Sequence, residues 1–309
     1  MSVPLPERIT RKQAKKQMST IVFPLFLYSV CTLLLQYIPK YFETRIINLI
    51  GNIDLQMSVM ILTIAVSILI AVIPVRISAA MLDLDIHAYL KKPDRLNIVR
   101  KFALVCIGIS IWFGISALAS GFRILLHSSA VSYNFLGHFT TKANILRNAV
   151  YILCFIIIKP VTEEYIFRAV AQRQFGHYSR FFGVMASSFL YALVQPSIAD
   201  ALCAFAFGWY LALITLRYHS IRPAVMIHIS AALFSWFITV LPESWILLPT
   251  AMIVAVYGIS ISVLVTGAVK LNIVHPTGNE GMLWGLLLKV FPVILCIIIF
   301  IIASVLSLI

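Results

Sequence analysis

Apolar residues run through this chain in blocks too long and too continuous for the half-buried elements of a water-soluble domain. The blocks are roughly 18 to 25 residues long, the length a helix needs to cross about 30 Å of hydrocarbon. Nine such spans are predicted, at 20–38, 56–75, 102–121, 148–166, 181–198, 200–216, 223–241, 246–268 and 290–308. Between the fifth and the sixth, Pro196 and Asp200 leave almost no loop. Lone strands cannot satisfy their backbone groups in lipid, and the alternating pattern of an outer-membrane barrel is absent. The expected fold class is all-α, a polytopic transmembrane helix bundle of about nine spans. A basic segment at 1–19 precedes a single membrane domain at 20–309. The stretch 77–101, amphiphilic and flanked by basic residues, reads as an interfacial helix followed by a cytoplasmic loop.

Composition supports the same class. Of 309 residues, 61% are hydrophobic and 11% charged, against about 45–50% and about 25% in a soluble domain. A net charge of +13 could point to nucleic acid, but its distribution argues against that partner. With the N-terminus inside, Lys40, Arg45, Arg123, Lys142 and Arg147 fall outside, Lys159 falls within a span, and the remaining eighteen Lys and Arg fall inside. That asymmetry is the positive-inside pattern, with membrane lipids, especially anionic headgroups, as the expected partners of the basic surface. The first apolar run is too long for a cleavable signal and reads as a retained anchor. With no eukaryotic sorting signal, a bacterial cytoplasmic membrane is the expected location. The five cysteines all lie in apolar spans without a CxxC pair, and read as small packing residues.

A few polar residues stand out against this background. A charge at the centre of a span costs about 2.5–3.5 kcal/mol on the insertion scale. The fourth span nevertheless ends in VTEEYIFR, which places Glu163 and Glu164 side by side and Arg168 four residues after Glu164. That spacing makes Glu164 and Arg168 a natural pair on one helical face, while Glu163 points about 100° away toward another helix. A carboxylate kept from water suits a general base or acid. The opposing reading is a helix end at headgroup level with two solvated glutamates. His228 lies about two turns into the seventh span, in RPAVMIHISAALF, and Gln195 sits before Pro196 in FLYALVQP. Either could be a packing or hydrogen-bonding residue between helices.

Taken in order, these pieces resemble the CPBP family of intramembrane proteases, which includes CAAX-processing proteases and bacteriocin-processing or self-immunity proteins. Glu163 to Arg168 matches the family's EExxxR motif in full. Phe207, Gly208, Arg217, Ser220, Pro223 and His228 fall where the pattern has a small-residue helix, an Arg-bearing turn, a proline and a histidine. The similarity covers about 148–240. The second motif, FxxxH, is replaced by Tyr191-Ala192-Leu193-Val194-Gln195, and the third, HxxxN, by His228-Ile229-Ser230-Ala231-Ala232. The resemblance implies catalytic roles for Glu163, with Glu164 and Arg168 fixing it, and for His228, with Gln195 as a weakened second donor.

The substitutions bear on activity. An amide can donate a hydrogen bond but cannot exchange protons near neutral pH, and alanine can do neither. Losing one oxyanion donor costs about 10²–10³ in rate. His177 and His219, in inner loops, could in principle lend a proton. Zinc chemistry normally uses three protein ligands, and two adjacent glutamates do not easily face one ion with His228, so neither a metal nor another cofactor is expected. Two functions compete. One is a peptidase-impaired relative that binds or supports a membrane partner. The other is an active glutamate-dependent intramembrane endopeptidase, a hydrolase of a peptide or membrane-protein substrate. A transporter is disfavoured, because no inverted repeat of broken helices is visible.

Overall fold

The computed structural model describes residues 10–42, 53–83, 90, 93, 96–125, 142–269 and 274–306, and among them the protein is all-helical. Among the described residues, ten helices make the bundle. They are α1 (Arg11–Phe42), α2 (Ile53–Leu82), α3 (Ile98–Leu125), α4 (142–176), α5 (Arg180–Ala192), α6 (Ile198–Tyr218), α7 (Arg222–Val240), α8 (Leu247–Val265), α9 (Glu280–Leu287) and α10 (Phe291–Leu306). Helix α6 is central and packs against α5, α3 and α7, while α1 packs against α2 and α10. One apolar cluster joins α1, α4, α5 and the α9–α10 pair through Met18, Leu25, Phe167, Phe182 and Leu287. A second joins α3, α6 and α7 through Leu104, Phe207, Leu211 and Ile227.

Five stretches among the described residues are long and apolar enough to cross a membrane on their own: Thr63–Leu82, Ile98–Gly121, Ile198–Tyr218, Arg222–Val240 and Leu247–Val265. Helices α9 and α10, bent by 73° at their junction, make a sixth if taken together. The protein is an integral membrane protein. The count covers the described residues only; of the nine spans expected, those at 20–38 and 148–166 fall inside α1 and α4.

The span expected at 181–198 is corrected to a helix of 13 residues, about 20 Å at 1.5 Å per residue and too short to cross. Pro196 lacks an N–H and disfavours a helical Gln195, so the chain leaves the helix at Ala192 and turns. Ser197 then caps α6, its Oγ accepting from Asp200 N at 3.1 Å. The stretch 77–101 also divides differently from the expectation. Residues 77–82 complete α2, α3 begins at Ile98, and much of what lies between falls outside the described residues.

Helix α4 is unusual in its backbone. Ordinary α-helix gives way to π-helix at Ile152–Ile158, returns at Lys159–Glu163, and becomes π-helix again at Glu164–Gln172. Such i→i+5 widening is rare and favours functional sites. It also alters the angle at which successive side chains leave the helix.

Candidate functional site

The two glutamates lie well inside α4, which runs on to Gly176, and each is only 1% exposed. They are therefore not solvated groups at a helix end. His228 arrives from α7, whose first turn is set by Pro223. Its Nδ1 lies 2.9 Å from Glu164 Oε1. A carboxylate only accepts, so Nδ1–H donates, and this bond fixes the orientation of the ring. The opposite nitrogen, Nε2, lies 3.7 Å from Glu163 Oε2. Both carboxylates thus meet one imidazole, where ideal α-geometry has them diverge. The edges of Phe207 and Tyr191 flank the ring, with centroids 5.3 and 6.1 Å away, and shield it from lipid.

Two tyrosines complete the cluster, and the sequence pattern singles out neither as a functional group. Tyr28, on α1, donates to Glu163 Oε1 at 2.9 Å, and Tyr191, on α5, donates to Glu163 Oε2 at 3.4 Å. The Tyr191 hydroxyl also lies 3.5 Å from His228 Nε2. Tyr191 opens the segment aligned with the second motif. Tyr28 gives no signal beyond the general need of a buried phenol for a partner.

Arg168 has no exposed side-chain surface, and its Nε is 3.3 Å from Glu164 Oε2. Its guanidinium stands 5.3 Å from the Tyr191 ring centroid. Lys159, partly exposed, reaches Glu163 Oε1 at 3.8 Å. Buried charge is thereby matched within the bundle, with Arg168 on Glu164 and with Lys159 and two hydroxyls on Glu163.

Gln195 does not join this cluster by any hydrogen bond among the described residues. Its Nε2 donates to the backbone oxygen of Tyr191 at 3.4 Å, closing the end of its own helix. Ala232, one turn beyond His228, brings no polar group. His177 and His219 lie at the end of α4 and in the α6–α7 turn, where they line a separate cavity. Four of the five cysteines are buried and Cys31 is partly so.

Space at the cluster is scarce. A cavity of about 20 Å³ beside it is lined by Tyr28, Thr32, Ser67, Lys159 and Thr162; that is room for about one water. A water bridging His228 and Glu163 by two hydrogen bonds of about 2.8 Å, bent near the tetrahedral angle, spans about 4.6 Å, and the observed gap is 3.7 Å. As for metals, each imidazole nitrogen already faces a carboxylate oxygen. Among the described residues no three His, Cys, Asp or Glu side chains are grouped to hold an ion.

Fold and site together define an all-helical membrane bundle with a buried glutamate–histidine centre. Residues 145–234 match the family model described as type II CAAX prenyl endopeptidase Rce1-like. That segment holds Glu163, Glu164, Arg168, Tyr191, Gln195 and His228, and agrees with the CPBP resemblance of the motifs. The chain is a membrane protein, and its segment 145–234 is similar to that family. No curated protein and no solved structure matches it.

Proposed function

We propose that this protein is a peptidase-impaired CAAX-protease-like membrane protein whose polar core braces the bundle while the protein binds or supports a membrane partner. The observation that carries this reading is the occupation of Glu163. Both its oxygens accept hydrogen bonds from tyrosine hydroxyls, which take two of the carboxylate's roughly four acceptor positions and compete with the water that a general base must reach. Two further features agree. Gln195 spends its amide on its own helix, and Ala232 offers no donor to an oxyanion. The partner is a peptide or membrane protein within the same bilayer, and the basic end of the bundle favours an N-terminus on the inner side of a bacterial membrane.

The second reading, an active endopeptidase, is favoured by the pairing of His228 Nδ1 with Glu164 at 2.9 Å. A carboxylate that fixes the imidazole beside Glu163 is the kind of orienting hydrogen bond an active centre uses. Proteoliposomes supplied with a prenylated peptide ending in a CAAX sequence distinguish the two. We expect no release of the terminal tripeptide by the parent, and release by the Gln195→His/Ala232→Asn variant that Glu163→Gln abolishes. Cleavage by the parent that vanishes in Glu163→Gln, with the variant still monodisperse in detergent, would overturn the proposal in favour of the enzyme.

A further inference from the structure

Where α4 ends and the α6–α7 turn begins, a cavity of about 300 Å³ is bordered by Arg168, Gln172, Arg173, His177, Arg180 and His219. Its size is at the lower end of small-molecule sites. Among the described residues that line it there is no Asp or Glu. Three arginines around one concavity, with two histidines beside them, give it a positive field, focused by the low-dielectric bundle beneath.

Arg168, Gln172 and Thr215 border the cavity but keep their Nη1, Nη2, Oε1 and Oγ1 atoms buried, whereas Arg173, His177, Arg180 and His219 are exposed at it. These four are the polar side chains within reach of an occupant. Leu216 and Ile221 add apolar surface.

We propose that this cavity binds a phosphate ester, with the phosphate facing the arginines and its stem against Leu216 and Ile221. Phosphate fits better than carboxylate. It carries close to two charges and three strong acceptor oxygens, and planar guanidinium forks match it. The ester is either the headgroup of a lipid or a soluble phosphate, since the same chemistry recognises both. The proposal stands on this cavity alone and does not depend on whether the glutamate–histidine centre hydrolyses anything.

The test uses the full-length protein. Thermal unfolding is followed in detergent against inorganic phosphate, and in phosphatidylcholine nanodiscs with and without phosphatidic acid. Arg180→Gln removes charge from an exposed side chain of the cavity. Lys15→Gln removes the same charge from an exposed position on α1. We expect saturable stabilisation of the parent, unchanged by Lys15→Gln. Arg180→Gln should weaken the apparent affinity about tenfold, the effect of removing one charge-assisted hydrogen bond. Response to phosphate assigns the soluble ester, and response to phosphatidic acid alone assigns the lipid headgroup. Absence of stabilisation by either, or equal weakening by Lys15→Gln and Arg180→Gln, overturns the proposal.

Discussion

Helices α6 and α8 are nearly equal in length, 21 and 19 residues, and both are apolar enough to span a membrane. Yet 56% of the apolar window of α6 is buried inside the protein, against 6% for α8. The difference lies in their small and polar positions. Helix α6 presents Gly208 to Tyr191 and Arg168, and its Tyr210 hydroxyl donates to Leu104 O at 2.7 Å. Helix α8 leans on α3 and turns Val254, Ile261 and Val265 outward, 64%, 59% and 81% exposed. Lipid is as apolar as leucine, so apolar surface gives helices little reason to associate within it. Small residues that allow close approach, and polar groups that need partners, do the selecting. The core of this protein is where its polar residues meet.

The largest effect that can test this contrast comes from Arg168. Removing one member of a buried ion pair leaves the other uncompensated, at a cost of about 3–5 kcal/mol. Arg168→Ala should leave the Glu164 carboxylate without its buried cation and lower the thermal midpoint in detergent more than any change on α8. An unfolding curve indistinguishable from the parent's would mean that the cluster does not organise the core.

Next comes Gly208→Ala. A Cβ there would stand 2.9 Å from Tyr191 Cδ1 and 3.1 Å from Arg168 Nη2. Both side chains are held in the polar cluster and have little freedom to retreat. Overpacking of this kind costs about 1–3 kcal/mol. Arg168→Ala removes one of the two obstructing groups, so the double change should cost less than the sum of the singles, since neighbouring sites couple. Full additivity would show that the close approach of α6 to α4 is independent of the charge cluster.

Tyr28→Phe is expected to be smaller, about 1–2 kcal/mol, for a buried acceptor deprived of one of its donors. Its interest is directional. Tyr28 stands on α1, outside the matched segment 145–234, and its hydroxyl occupies Glu163 Oε1. If the tyrosine bond helps to hold Glu163 inactive, Tyr28→Phe in the Gln195→His/Ala232→Asn background should raise the cleavage rate while lowering stability. A fall in both would make Tyr28 a simple brace.

Much of this arrangement is legible in the amino-acid pattern. Hydropathy carries the all-helical membrane class, and the four-residue spacing of Glu164 and Arg168 carries their contact. The rest depends on three dimensions for identifiable reasons. A tyrosine in an apolar span looks like any interfacial aromatic, so nothing marks Tyr28 until α1 lies against α4. The separation of Glu163 and Glu164 by about 100° assumes ideal α-geometry, and the π-helical stretch beginning at Glu164 has no sequence signature comparable to proline or glycine. Pro196 does announce a break, but hydropathy continues across it, and 181–198 reads as one span although the helix stops at Ala192. Gln195 stands in the aligned motif position, and only the turn after α5 directs its amide to the Tyr191 carbonyl.

The smallest expected effect is the sharpest test of the contrast between α6 and α8. Gly258, in the middle of α8, would meet nothing within 4 Å if given a Cβ, and its helix is among the most lipid-facing in the bundle. Gly258→Ala therefore lacks the steric penalty of Gly208→Ala while gaining helix propensity, worth up to about 1 kcal/mol per glycine replaced in a helix interior. The same chemical change should then have opposite signs on two helices of similar length and apolarity, lowering the thermal midpoint on α6 and leaving it level or slightly raised on α8. A matching loss at both positions would mean that α8 is covered by something in the membrane, another subunit or a bound partner, and that its exposed face is an interface. In that event Val254→Ala, on the same helix and itself 64% exposed, should share the loss. Lipid contact alone would keep Val254→Ala within about 0.5 kcal/mol of the parent.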